Sequence, residues 1–215
     1  AYRTEFMTEN NERFVIALAD GMGGHRAGEV ASEQTLDSLK FFISDIPRGL
    51  SIGEFDETML EWLEYINTTI NRRGNSDPSL HEMGTTLVGV IYYGGKYFWL
   101  NCGDSRLYRL RDGKLVQLST DHSLSNANGE KKHSNIITNC IGAGCKNSYL
   151  DLYEFTADFL PGDTYMLCSD GLNDMVDDED IEKLRNDGAS ANGLCEAAIE
   201  AGGFDNVSVC VFHVE

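Results

Sequence analysis

The chain has 215 residues, of which 41% are hydrophobic and 24% are charged, a composition typical of a globular protein rather than a disordered one. Acidic residues outnumber basic ones 35 to 17, and the net charge of −18 disfavours binding to nucleic acid or to an anionic membrane surface. No apolar run approaches the roughly 20 residues of a membrane helix, and no charged-then-apolar signal peptide opens the chain.

The first predicted elements are a strand and two helices. Residues 14–19 form a short apolar run that is stopped by Asp-Gly, which indicates a buried strand. Apolar residues at helical spacing predict a helix over residues 27–42. A second amphipathic helix is predicted over residues 54–72. Its apolar face comprises Phe55, Met59, Trp62, Leu63, Ile66 and Ile70.

Strands dominate the middle of the chain. They are predicted over residues 85–93, 97–102, 105–111 and 114–118. Gly94-Gly95 and Asp112-Gly113 are hairpin turns, and such short links require antiparallel pairing. The polar residues 123–134 then predict an exposed loop or flap.

The last third of the chain combines both kinds of element. Strands are predicted over residues 152–155, 165–168 and 207–214, and helices over 178–186 and 191–201. Helix pairs on either side of a block of antiparallel strands indicate an α+β fold in which two packed sheets have helices outside. We expect residues 1–215 to form a single domain, because no repeat or linker-like segment interrupts them.

The six cysteines indicate a reducing compartment, so we expect a cytoplasmic protein. None forms a Cys-x-x-Cys pair, and Cys168 and Cys210 lie inside apolar strand-like runs, as buried free thiols do. Cys140 and Cys145, with His133 nearby, are too few for a zinc site.

Three aspartates stand where an apolar run meets a turn: Asp20, Asp170 and Asp205. Carboxylates at strand ends can converge in the fold, and they repel one another unless a cation lies between them. After Asp20, the glycine cluster Gly21, Gly23 and Gly24 lets the backbone come close enough for a main-chain carbonyl to bind an ion. A plain strand-to-helix turn is the alternative explanation of these glycines.

The chain resembles the metal-dependent protein Ser/Thr phosphatases of the type-2C (PPM) family, in their bacterial style. The residues Asp20-Gly-Met-Gly-Gly-His-Arg-Ala-Gly-Glu-Val-Ala-Ser32 are similar to the family signature. Further motifs follow in the family's order: Met83-Gly-Thr-Thr86, Asn101-Cys-Gly-Asp-Ser-Arg106, Thr120-Asp-His-Ser123, Ile137-Thr-Asn-Cys-Ile-Gly142, Ser169-Asp-Gly-Leu172 and Gly203-Phe-Asp-Asn206. The resemblance extends over nearly the whole chain and implies an αββα four-layer sandwich of two mainly antiparallel sheets.

The resemblance implies a catalytic centre with two ions of Mn²⁺ or Mg²⁺, and possible binding of a third. Asp20 would bridge the two ions, Asp170 and Asp205 would complete one, and the Gly21 carbonyl would help to hold the other. The ions would activate a water for in-line attack on the phosphomonoester. Asp104, with Asp170, is implied as a ligand of the third ion, although an Asp that caps a tight turn fits the spacing equally well.

Histidines have weaker assignments. His25 is a candidate general acid that protonates the leaving alkoxide, since an imidazole titrates near neutrality. Alternatively, His25 donates a hydrogen bond to a metal-bound water or caps the helix. Asp121 and His122 are expected to orient the start of the flap.

Two departures from the family pattern stand out. The family usually has an N-terminal strand with a phosphate-binding Arg, and an acidic residue just before the position of Ala1. Both are absent from the sequence as given, and neither Arg3 nor Glu5 stands in the usual place. The predicted flap is also shorter than is common in the family.

We therefore expect a phosphatase that acts on phosphoserine and phosphothreonine in proteins, as a monomer that opposes a Ser/Thr kinase in signalling. The alternative is a pseudophosphatase, which uses the same fold to bind phosphoproteins without turnover. The three aspartates argue against that alternative. A calcium-binding module fits less well, because no single loop carries closely spaced acidic ligands.

Overall fold

The structure is a computed structural model that describes residues 2–7, 12–124, 126 and 136–215, with the backbone only for residues 2–7 and 25. This part of the chain contains five α-helices: α1 (His25–Asp45), α2 (Ile52–Ser76), α3 (Asp170–Asn173), α4 (Asp178–Asn186) and α5 (Ala191–Glu200). The strands are β1 (Tyr2–Met7), β2 (Arg13–Ala19), β3 (Gly21–Met22), β4 (Gly84–Thr85), β5 (Leu87–Tyr93), β6 (Lys96–Cys102), β7 (Arg106–Arg111), β8 (Lys114–Gln117), β9 (Ile141–Gly142), β10 (Asp151–Glu154), β11 (Thr164–Cys168) and β12 (Val209–His213).

These strands form three antiparallel sheets. The five-stranded sheet has the order β1-β2-β5-β6-β10, the four-stranded sheet β12-β11-β7-β8, and the small sheet β3-β4-β9. Both predicted hairpin turns are confirmed. Asp112 and Gly113 have φ values of 50° and 76°, and Gly94 and Gly95 have 57° and 81°, as tight two-residue hairpins require.

The hydrophobic residues pack in three layers between four layers of structure. One cluster joins α1 and α2 to the five-stranded sheet, and a second joins α3, α4 and α5 to the four-stranded sheet. A third fills the space between the two sheets. Side chains of the strand β2 point alternately to the two faces of its sheet, since Val15 and Ala17 belong to the first cluster and Leu18 to the third. The predicted αββα four-layer sandwich is confirmed.

Local chemistry explains where the long helix α2 begins. The Ser51 backbone N–H donates to Glu54 Oε2 over 2.8 Å, and the Glu54 N–H donates back to Ser51 Oγ over 3.3 Å. This capping box satisfies two N–H groups that have no partner within the helix. All six residues of the predicted apolar face are buried, which confirms the helical period.

Several boundaries differ from the prediction. The predicted strand over residues 85–93 is divided at Thr86, whose N–H donates to the Asp20 carbonyl instead of joining a ladder. The last strand begins at Val209, because Ser208 is bound to the Ser169 side chain. The strand β1 was not predicted, since three polar residues stand in a row at its start. Of the predicted flap, only residues 123, 124 and 126 are described.

The expectation of free thiols is confirmed. None of the six cysteines forms a disulfide; Cys102, Cys140, Cys168 and Cys210 are buried. Among the described helices, none has both the length and the apolar character that a membrane span needs.

Candidate metal centre

Asp20 lies at the end of β2 and its backbone is held from two sides. Its N–H donates to Thr86 Oγ1 over 3.0 Å, and its carbonyl accepts from the Thr86 N–H and from Thr85 Oγ1, each over 2.9 Å. The Thr86 hydroxyl lies a further 2.7 Å from Ser105 Oγ, in the loop between the two sheets. These bonds fix the direction in which the Asp20 carboxylate leaves the strand.

The glycines after Asp20 allow a close approach of helix α1. A Cβ added to Gly21 would lie 2.0 Å from the Gly28 carbonyl oxygen, so no side chain fits there. Gly24 precedes the first helical residue with a φ of 88°, a conformation that glycine adopts without strain. The glycine cluster therefore brings the first turn of α1 against β3, which explains its presence whether or not the Gly21 carbonyl binds an ion.

Asp170 and Asp205 are brought together by backbone packing. Asp170 is the first residue of the short helix α3, directly after β11 and Ser169. A Cβ on Gly171 would lie 2.4 Å from the Asn206 carbonyl oxygen, so the loop before β12 rests on this helix. The Ser169 N–H also donates to the Ser208 carbonyl over 3.0 Å. The loop that carries Asp205 is thereby fixed beside Asp170.

The four predicted aspartates line one pocket of about 740 Å³. Asp20, Asp104, Asp170 and Asp205 all contribute to its wall. Gly21 lines it as well. Glu29 adds a fifth carboxylate, and no Lys or Arg occurs among the described residues of the wall.

The carboxylates of this pocket disfavour one another's charge. Burial raises the pKa of Asp170 to about 8, and the nearby charges of Asp104 and Asp20 contribute to the rise. Burial likewise raises the pKa of Asp104 to about 7, with a contribution from Asp121. The pKa of Asp20 is raised by burial and by the charge of Asp205. An external positive charge would relieve this repulsion.

The donor set fits a hard divalent cation. The Asp170 Oδ1 atom is buried and has no hydrogen-bond partner, which leaves an acceptor directed at no protein donor. Among the described residues, however, no three His, Cys, Asp or Glu side chains are grouped so that they could hold an ion by themselves. A bound ion would therefore also need backbone carbonyls and water, which Mg²⁺ and related ions commonly use.

Asp174 is a pocket neighbour that the sequence analysis did not single out. Its charge contributes to the raised pKa of both Asp170 and Asp104. Asp174 follows Asp170 by four residues, which places the two aspartates on one face of a helical turn. This spacing is the sequence feature from which Asp174 could have been predicted as a neighbour of the site. The side chain of His25 lies outside the described part of the structure, so its predicted role stays a prediction.

Asp121 and His122 are held in a hydrogen-bond network next to the pocket. His122 Nδ1 accepts from the Gly103 N–H over 3.1 Å, and Nε2 lies 3.0 Å from Asp151 Oδ2. The Thr138 N–H donates to the His122 carbonyl over 2.8 Å, which ties the two ends of the predicted flap together. This arrangement agrees with an orienting role.

Replacement of Asp121 by Ala is expected to destabilise the fold. Asp121 Oδ2 lies 2.6 Å from Arg106 Nη2, and the Arg106 side chain is only 6% exposed. Loss of the carboxylate leaves a buried cation without its main counter-charge, which costs about 3 kcal/mol in the free energy of unfolding. Urea unfolding measures the effect. Lys114→Ala, which removes an exposed ion pair with Glu182, is the control and should cost less than about 1 kcal/mol; equal losses would contradict the expectation.

Comparisons with known proteins agree with this geometry. The protein phosphatase 2C family matches residues 3–196. The serine/threonine protein phosphatase PstP of Mycobacterium tuberculosis is 36% identical over 210 residues, which cover 93% of this chain and 40% of PstP. The chain thus spans about two fifths of the length of that relative.

Solved structures share the fold over the full length of the chain. The serine/threonine phosphatase of S. agalactiae matches with a TM-score of 0.86 and 32% identity, covering 100% of this chain and 92% of that chain. The catalytic domain of PstP, in complex with two manganese ions, matches with a TM-score of 0.72 and 32% identity, covering 100% and 96% of the two chains. The family match covers most of the chain, and the fold and the acidic pocket agree with it. The chain therefore belongs to the protein phosphatase 2C family.

Proposed function

We propose that this chain is the catalytic domain of a metal-dependent phosphatase that hydrolyses phosphoserine and phosphothreonine in proteins, with Mn²⁺ or Mg²⁺ as its cofactor. The observation that carries the proposal is that five carboxylates, and no Lys or Arg, occur among the described residues that line the pocket. Such a wall repels a phosphate group unless divalent cations lie between them. Relatives named serine/threonine phosphatases, and the PstP domain with its two manganese ions, support this function.

The proposed ligands follow from the pocket wall. Asp20 would serve as a ligand of two ions, Asp170 and Asp205 would hold one of them, and the Gly21 carbonyl would contribute to the other. Asp104 is the proposed ligand of a third ion, together with Asp170. When bound, the ions supply a water of lowered pKa and neutralise the charge of the phosphoryl oxygens.

The protein's own contribution is positioning and proton transfer. Thr85 and Thr86 fix the backbone of Asp20, so that its carboxylate keeps one orientation towards the pocket. The contact of Gly171 with Asn206 sets the separation of Asp170 from Asp205. His25, at the first residue of α1, is the proposed donor of a proton to the leaving alkoxide.

Phosphate release from a phosphothreonine peptide, measured with Mn²⁺ and then with excess EDTA, tests the function. We expect turnover with the metal and none after chelation. A folded protein that releases no phosphate in Mn²⁺ would contradict the proposal and favour the pseudophosphatase. Circular dichroism of the same samples establishes that the protein is folded.

The setting of the enzyme is proposed on chemical grounds. The net charge of −18 disfavours nucleic acid and anionic membrane as partners, and the phosphoprotein substrates are inferred from the relatives named serine/threonine phosphatases. We propose a cytoplasmic monomer that opposes a Ser/Thr kinase.

A further inference from the structure

Phe204 is the most exposed large hydrophobic side chain among the described residues, with 87% of its surface open to solvent. It directly precedes Asp205 in the chain and lines the same pocket as the aspartates. Full burial of a Phe side chain is worth roughly 2 kcal/mol, and the fold makes no use of it here. An apolar ring at the mouth of an acidic pocket therefore needs an explanation other than stability.

One edge of the Phe204 ring lies near Gly202. Gly202 has a φ of 146°, and a Cβ at this residue would lie 3.1 Å from Phe204 Cε2 and 3.6 Å from Met175 Sδ. The ring and the thioether thus both lie close to the bare backbone of Gly202. We refer to Met175, Gly202 and Phe204 as the Phe204 ledge.

Two further apolar residues lie in the pocket wall. Met22 and Ile137, both half-buried, also line the pocket. Every charged residue in the described wall is acidic, so a peptide that carries the phosphate finds no cation with which to pair. The apolar side chains of the described wall are therefore available to contact the peptide on either side of the phosphate.

We propose that the Phe204 ledge binds an apolar side chain next to the phosphorylated residue and so determines which phosphoproteins are preferred. The preferred substrates carry Leu, Ile, Met or Phe beside the phosphoserine or phosphothreonine, and acidic neighbours are disfavoured by the carboxylates. This inference rests on the phosphatase function proposed above. Phe204 is a specificity residue here, without a part in the chemical step.

The test compares two phosphothreonine peptides that differ only at the two neighbouring positions, which are Leu in one and Ser in the other. Turnover of p-nitrophenyl phosphate, which has no peptide, is measured beside them in Mn²⁺. We expect the wild-type chain to show a kcat/KM at least about fivefold higher on the Leu peptide, mainly through a lower KM. Phe204→Ala should lower kcat/KM at least about fivefold more on the Leu peptide than on p-nitrophenyl phosphate.

Two further variants serve as a control and as a conservative substitution. Phe41→Ala removes another exposed Phe, 71% open to solvent on α1 and outside the wall of the acidic pocket, and should leave the preference for Leu unchanged. Phe204→Leu keeps an apolar side chain and should retain part of the preference. Equal losses on all three substrates in Phe204→Ala, or an intact preference, would overturn the inference.

The two proposals fail in different ways. Wild-type protein that turns over all three substrates, with equal kcat/KM on the Leu and Ser peptides, overturns the specificity inference and leaves the phosphatase function standing. Wild-type protein that turns over none of them in Mn²⁺ overturns the function, and the inference with it.

Discussion

Asp170→Asn is expected to abolish metal-dependent turnover while the protein stays folded. Asp170 carries a buried oxygen without a protein partner and lies among the carboxylates of the pocket wall. The amide keeps the shape of the side chain but removes the negative charge that two of the proposed ions need. We expect kcat in Mn²⁺ to fall by about 1,000-fold, which corresponds to about 4 kcal/mol of transition-state stabilisation.

The fold should tolerate this change, because the amide removes repulsion. The raised pKa of Asp170 arises from burial and from neighbouring carboxylates, all of which disfavour its charge. Thermal unfolding in EDTA should therefore give a midpoint no lower than that of the wild type. Asp112→Asn is the matched control, since Asp112 lies in a hairpin turn with a φ of 50° that Asn also accepts. Wild-type activity in Asp170→Asn would refute the metal assignment.

Gly171→Ala should weaken the centre without changing any proposed ligand. The added Cβ would lie 2.4 Å from the Asn206 carbonyl oxygen, which is backbone and must move. The loop that carries Asp205 then shifts away from Asp170. A displacement of about 1 Å can cost roughly 100-fold in rate. We expect a loss of that size in kcat/KM and a higher Mn²⁺ concentration for half-maximal activity.

Gly53→Ala is the control for this substitution. Gly53 lies in the first turn of α2, where an added Cβ meets nothing within 4 Å. Alanine there should raise the free energy of unfolding by about 1 kcal/mol, because alanine has a higher helix propensity than glycine. The stabilisation of each variant by Mn²⁺ in thermal unfolding gives a second readout, independent of turnover. Gly171→Ala with the metal dependence of the wild type would show that this contact does not set the geometry of the centre.

The long elements could be predicted because their patterns repeat. In α2 the apolar residues recur over several turns, and all of Phe55, Met59, Trp62, Leu63, Ile66 and Ile70 are buried. The helix α3 has four residues and β9 has two, so neither is long enough for its pattern of apolar residues to repeat. Their presence depends on contacts with distant parts of the chain.

Part of the candidate site could also be predicted from the sequence. Asp20, Asp170 and Asp205 are recognisable because each is placed at the end or the beginning of an apolar run. Asp104 came from family resemblance alone, since its spacing also fits a simple turn. The exposure of Phe204 left no signal in the sequence, because it depends on how a pair of glycines turns the loop before β12.

The way the pocket is assembled has a consequence for how the protein is made. One wall comes from the loop before β12, and that loop is in place only once β12 has paired with β11 at the edge of its sheet. A growing chain on the ribosome has already made Asp20 and Asp170 but lacks this partner strand. The complete set of carboxylates therefore forms late, in a fold dominated by contacts between distant residues, which generally form slowly. Cation binding would then favour a chain in which β12 has paired with β11 over intermediates that lack this strand.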